Sequence, residues 1–93
     1  MYYPLALIFL KDGRLMLSEY GGGDRVQFFN ADKGEFLGGF GASGPEPGSF
    51  MRPQGLAQGP DGNLYVADSA NHRIQVFTPE GKLLRIFGEP GIV

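Results

Sequence analysis

The chain contains no cysteine and a single histidine, His72. Without cysteine it has no disulfide framework and no thiolate metal site, and its redox compartment stays undetermined. A zinc site needs three or four ligands, so one histidine cannot supply it. We therefore predict no metal, no cofactor and no catalysis.

A strong charge of either sign and a long apolar run are also absent. The net charge of −2 gives no general attraction to nucleic acid or to an anionic membrane. Residues 1–10 are the most apolar stretch, but it is too short to span a bilayer. It also lacks the basic start and the small-residue cleavage site of a signal peptide. We interpret it as a strand and expect neither nucleic acid nor a membrane as partner; the cellular compartment is left open.

Glycine is abundant, and with proline it separates short runs rich in β-forming residues. The runs at 64–67, 74–77 and 83–87 are divided by Asn, Asp, Pro and Gly, which is typical of a β-meander. A weaker copy of this stretch comes earlier, with DRVQFF aligned on HRIQVF. A period of about 47 to 49 residues with about four short strands is characteristic of propeller blades.

The alignment predicts an all-β fold of two four-stranded antiparallel blades. Strands are expected near 5–9, 14–18, 25–29 and 36–40, and again near 54–58, 63–67, 73–78 and 83–87. We divide the chain into a degenerate blade at 1–41, a linker at 42–52 and a well-matched blade at 53–93. Two blades would bury one shared face and leave two apolar faces open. The exposed apolar area would then be larger than a soluble monomer usually shows.

The second copy closely resembles the NHL repeat, a β-propeller family. The residues that match its pattern are Pro53, Gly55, Asp61, Gly62, Val66, Asp68, Asn71, His72, Arg73, Ile74, Gln75, Phe77, Gly81, Phe87 and Gly88. The first copy departs from the pattern at Ala6, Glu19 and Gly23-Asp24. Taken together, the two copies cover nearly the whole chain.

The resemblance implies a ring of about six blades, which three copies of this chain would complete as a homotrimer. The joint from Gly88 through Val93 to Pro4 of a next copy is similar in length to the internal joint Gly41–Pro53. We expect a non-catalytic binding or scaffold module whose partners are itself and a protein or small-molecule ligand. The alternative is a fragment of a longer NHL protein, either an exported sensor or an amidating lyase, whose other blades carry the function.

Two groups of polar residues need an interpretation. Asp68 with Arg73, and Glu19 with Arg25, recur in both copies, so we interpret them as turn pairs that serve the blade rather than a ligand. The candidate ligand-facing loop residues are Asn71, His72, Arg52, Asp24 and Tyr20. Basic and acidic residues are mixed among these loops, which argues against RNA binding through phosphates.

Overall fold

The computed structural model describes residues 3–21 and 23–88, which form two four-stranded antiparallel sheets with strands in sequence order. Blade 1 contains β1 (Tyr3–Phe9), β2 (Arg14–Tyr20), β3 (Arg25–Asn30) and β4 (Phe36–Phe40), and blade 2 contains β5 (Pro53–Gln58), β6 (Leu64–Asp68), β7 (Arg73–Phe77) and β8 (Leu83–Phe87). The predicted all-β fold is confirmed. In the part of the chain described, the only helical element is a 3-10 turn at Ser69–Asn71, and no helix could cross a membrane.

The first hairpin of each blade is closed by the same Asp-Gly chemistry. Gly13 and Gly62 have φ angles of 94° and 89°, a left-handed conformation that glycine adopts without steric cost. The preceding aspartates accept hydrogen bonds from backbone N–H groups two residues on, at 3.1 Å for Asp12 and 3.0 Å for Asp61. The repeat in sequence therefore produces the same turn twice.

The hydrophobic core lies between the two blades. Blade 1 contributes Met16 and its register partner Phe28, and blade 2 contributes Leu64 and its register partner Phe77. In the alignment of the copies, however, Leu64 corresponds to Leu15, the neighbour of Met16. Since successive residues of a strand point to opposite faces, the blades meet through two different faces of the same meander.

The connection between the blades, residues 41–52, is part of this core. Phe50 is completely buried, with ring centroids 6.1 Å from Phe40 of blade 1 and 5.8 Å from Phe77 of blade 2. Gly41 makes room for it, because a Cβ atom there would lie 2.5 Å from the Phe50 ring. The connection is therefore a packed element that joins both blades.

The two faces that point away from this core remain open within the described residues. Leu7 and Phe36 are exposed in blade 1, and Phe87 is exposed in blade 2. Leu7 pairs with Leu17 and Phe36 pairs with Phe29, so the blade 1 residues belong to one apolar face. This agrees with the expectation that two blades bury only their shared face.

Replacing Ser18 with alanine is expected to maintain or increase the free energy of unfolding, by up to about 1 kcal/mol. Ser18 is fully buried on β2, and its Oγ has no hydrogen-bond partner in the described chain. Ala67 occupies the corresponding place in blade 2. Urea unfolding followed by circular dichroism measures the change. The control is Ser43→Ala, which removes the acceptor of the Asp24 N–H and should be destabilising; a clear loss at Ser18 would contradict the prediction.

Candidate functional site at the junction of blades and connection

The Asp68 carboxylate is the centre of a buried polar network at the end of β6. One oxygen accepts hydrogen bonds from Arg73 Nε at 2.8 Å, Asn71 Nδ2 at 2.9 Å and Gln75 Nε2 at 3.1 Å. The other oxygen accepts the Met51 N–H at 2.7 Å. Asp68 is completely buried, so its charge is balanced by one guanidinium and by neutral donors rather than by water.

Arg73 and Gln75 extend this network onto the connection. Arg73 Nη2 donates to the carbonyl oxygens of Glu46 and Ser49, at 2.8 and 2.9 Å. Gln75 donates to the Ser49 carbonyl at 2.7 Å and accepts the Gly48 N–H at 2.8 Å. The Asp68–Arg73 pair thus orients the donors that hold the connection against blade 2.

Blade 1 carries a related arrangement around Glu19, which is buried at the end of β2. Glu19 Oε1 accepts hydrogen bonds from Arg25 Nε at 2.6 Å and from Gln27 Nε2. The Arg25 side chain is 40% exposed, whereas that of Arg73 is 13% exposed. Among the described residues the side chain of Gln27 makes no hydrogen bond to a backbone group, whereas that of Gln75 bonds to Gly48 and Ser49 of the connection.

Three of the loop residues singled out in the sequence lie together. The Arg52 guanidinium is 4.9 Å from the ring centroid of Tyr20, and the Arg52 N–H donates to Asp24 Oδ2 at 3.2 Å. The Asp24 N–H in turn donates to Ser43 Oγ at 2.9 Å. This cluster joins the loop between β2 and β3 to the connection and presents a stacked cation at the surface.

The other two loop residues, Asn71 and His72, make different interactions from that cluster. Asn71 Nδ2 donates to the Gly44 carbonyl at 3.0 Å as well as to Asp68, so its amide is used inside the protein. His72 is exposed in a left-handed conformation, φ 56°, after the 3-10 turn. In the described ranges no group of three or more potential metal ligands occurs.

Sequence reasoning did not identify Gln75 or the carbonyl groups of the connection as parts of this site. The signal for the glutamine was present, because Gln27 and Gln75 occupy the same place in DRVQFF and HRIQVF. A glutamine is seldom buried in a strand unless its amide is hydrogen-bonded. The carbonyl groups carried no signal, since any residue supplies one.

Comparison with known proteins places this network in a recognised repeat. Residues 50–77, from Phe50 through Asp68 and Arg73 to Phe77, match the family model of the NHL repeat. The chain is 44% identical over 52 residues to Protein brain tumor of Drosophila melanogaster and 46% identical over 55 residues to E3 ubiquitin-protein ligase TRIM32 of Homo sapiens. These alignments cover 56% and 59% of this chain but only 5% and 8% of the two relatives.

Proposed function

We propose that this chain, whose residues 50–77 match the NHL repeat, is a non-catalytic binding or scaffold module built from two propeller blades. We further propose that copies assemble head to tail into a closed ring, with three chains completing about six blades. The observation that supports assembly is the use of two different faces in the contact between the blades. One face of each kind remains open at the two ends of the pair.

The open face of blade 1 repeats the chemistry of the face that blade 2 buries. It carries Leu15, Leu17 and Phe29, the counterparts of Leu64, Val66 and Phe77. In the same way the face of blade 2 that points away from the core carries Tyr65, Ile74 and Val76, the counterparts of Met16, Val26 and Phe28. Tyr65 and Ile74 are half-buried there, whereas Val76 is completely buried. The two open faces therefore have the patterns of two surfaces that already pack together inside the chain. A contact of this heterologous kind closes into a ring when its rotation divides the circle.

A ligand of the assembled module would bind through its loops, as in other repeat scaffolds. The stacked pair of Arg52 and Tyr20 is the best-formed candidate, since a cation held over an aromatic ring suits an acidic or planar group of a protein or small molecule. His72 offers a second exposed contact. The proposal that the module is non-catalytic is supported by its composition, since without cysteine the chain cannot form a Cys–His nucleophile pair.

Size-exclusion chromatography with light scattering tests the assembly. We expect a mass of about 30 kDa, three times the 10.1 kDa of one chain. Leu7→Glu places a charge on the open face of blade 1 and should return the mass to that of one chain without unfolding it. Lys33→Gln makes the same change in net charge at an exposed turn and should leave the mass unchanged. A wild-type mass of 10.1 kDa at all concentrations would contradict assembly.

A second candidate is that these two blades are part of a longer NHL propeller. It is favoured by the small share of the relatives that this chain spans, 5% and 8%. Neighbouring blades would then cover the two open faces. The names of some relatives include a ubiquitin ligase and a B-box type zinc finger. Zinc fingers bind the metal through sets of cysteine and histidine, and this chain has no cysteine and one histidine. A zinc finger in a longer protein would therefore need ligands from outside this chain.

A further inference from the structure

The site that holds the connection in blade 2 has an open counterpart in blade 1. Above Gln75 the space is filled by Gly48 and Ser49 of the connection. At the corresponding place in blade 1 the structure has an open groove, which we call the blade 1 groove; it is lined by Arg25, Gln27, Phe36, Gly39, Phe40 and Gly41. The two blades thus share a binding arrangement that is filled in one and open in the other.

The hydrogen-bonding capacity of Gln27 matches this difference. Gln75 donates to both Asp68 and the Ser49 carbonyl, and its own carbonyl oxygen accepts the Gly48 N–H. Gln27 donates to Glu19, as Gln75 does to Asp68, and no other hydrogen bond of its amide occurs among the described residues. One amide hydrogen and the carbonyl oxygen of Gln27 are therefore available for a backbone carbonyl and a backbone N–H.

The chain contains one further segment with the sequence of the connection. The connection crosses blade 2 with Glu46-Pro47-Gly48, and the same three residues recur as Glu89-Pro90-Gly91 after the last strand. Resting on the assembly proposed above, we propose that Glu89–Gly91 of a second copy docks in the blade 1 groove and exchanges backbone hydrogen bonds with Gln27. This assigns a binding role both to the groove and to the segment.

The structure indicates which blade is crossed by the segment that follows the last strand of a blade. The connection leaves β4 of blade 1 and crosses the network of blade 2, the blade that comes next. In the proposed ring, the same rule would place the segment after β8 on the blade that follows blade 2, and blade 1 would receive the segment of the blade that precedes it. In a head-to-tail ring both of these blades belong to a second copy, so the occupant comes from another chain.

A cysteine cross-link tests the proposal in the full chain, which has no cysteine of its own. The variant Gln27→Cys/Gly91→Cys is oxidised under mild conditions and examined by non-reducing electrophoresis and mass spectrometry. We expect disulfide-linked dimers and larger species, at a yield about tenfold or more above the control Lys33→Cys/Gly91→Cys, because docking raises the local thiol concentration. Lys33 lies at the exposed turn at the other end of β3.

The other outcomes of the cross-linking experiment would overturn one or both proposals. An oligomer by light scattering with no more cross-linking than the control would overturn docking while leaving self-assembly intact. A disulfide closed within one chain would show that the segment docks on its own blade, which overturns the second-copy assignment. A monomer that forms no cross-link would overturn both proposals.

An equilibrium measurement covers the case in which cysteine at Gln27 disturbs the groove. Gln27→Leu in the otherwise native chain should raise the dissociation constant of the assembly about tenfold, the effect of one or two lost hydrogen bonds. Lys33→Leu should leave it unchanged. An unchanged constant in Gln27→Leu would count against the docking site.

Discussion

Replacing Asp68 with alanine is expected to lower the free energy of unfolding by about 3–5 kcal/mol, the range for breaking a buried ion pair by removing one partner. The substitution leaves four donors without their acceptor, among them the Arg73 guanidinium, whose side chain is 13% exposed. This loss is comparable to a large share of the stability of a small domain. Urea unfolding measures it, and limited proteolysis should show earlier cleavage within residues 41–52.

The matched substitution in blade 1 is Glu19→Ala, which should cost only about 1–2 kcal/mol. Glu19 accepts hydrogen bonds from two side chains, and the Arg25 side chain is 40% exposed, so water compensates part of the loss. Equal losses in the free energy of unfolding at the two sites would show that the contacts with the connection do not increase the contribution of Asp68 to stability. Unchanged stability of the Asp68 variant together with lost ligand binding would instead assign Asp68 to a ligand site.

Phe50→Ala is expected to cost about 3–5 kcal/mol, as for other fully buried phenylalanines. Its ring contacts Phe40 of one blade and Phe77 of the other, so the cavity would open where the two sheets are joined. We expect the unfolding transition to broaden as the blades lose their coupling, which calorimetry and urea unfolding can both detect.

Met51→Ala is the control for Phe50, since it removes a side chain of similar volume from the next position. The Met51 side chain is exposed, and only its backbone N–H takes part in the Asp68 network. Its effect should stay within about 0.5 kcal/mol. Similar losses for the two variants would mean that residues 41–52 do not pack between the blades as described.

The strands could be predicted from sequence because each carries its own evidence. Alternating apolar residues between Asp-Gly and other turn sequences fix a strand locally, and the predicted strands begin and end within two residues of those in the structure. Because the sequence repeats, the same pattern of strands and turns occurs twice. The predicted division of the chain at residues 41 and 52 and the assigned roles of the loop residues remain predictions.

The role of the connection could not be predicted in the same way. Its glycine and proline residues indicate turns, but the same composition describes a solvent-exposed linker. Nothing local shows that Phe50 is buried or that the carbonyls of Glu46 and Ser49 meet Arg73, because these contacts join residues far apart in the chain. The candidate site was thus predicted as a turn pair, and its larger part, the hold on the connection, came only from the structure.

The two blades meet through two different faces of the same meander, and this affects how such proteins can change in evolution. If the contact between these two blades were repeated along an array, each added blade would expose the same kind of surface as the blade before it. Duplication of the coding sequence for one blade would therefore lengthen the array without inventing an interface. Splitting the gene at a connection would likewise preserve the surfaces, and would require only that the segment crossing the next blade be supplied from another chain.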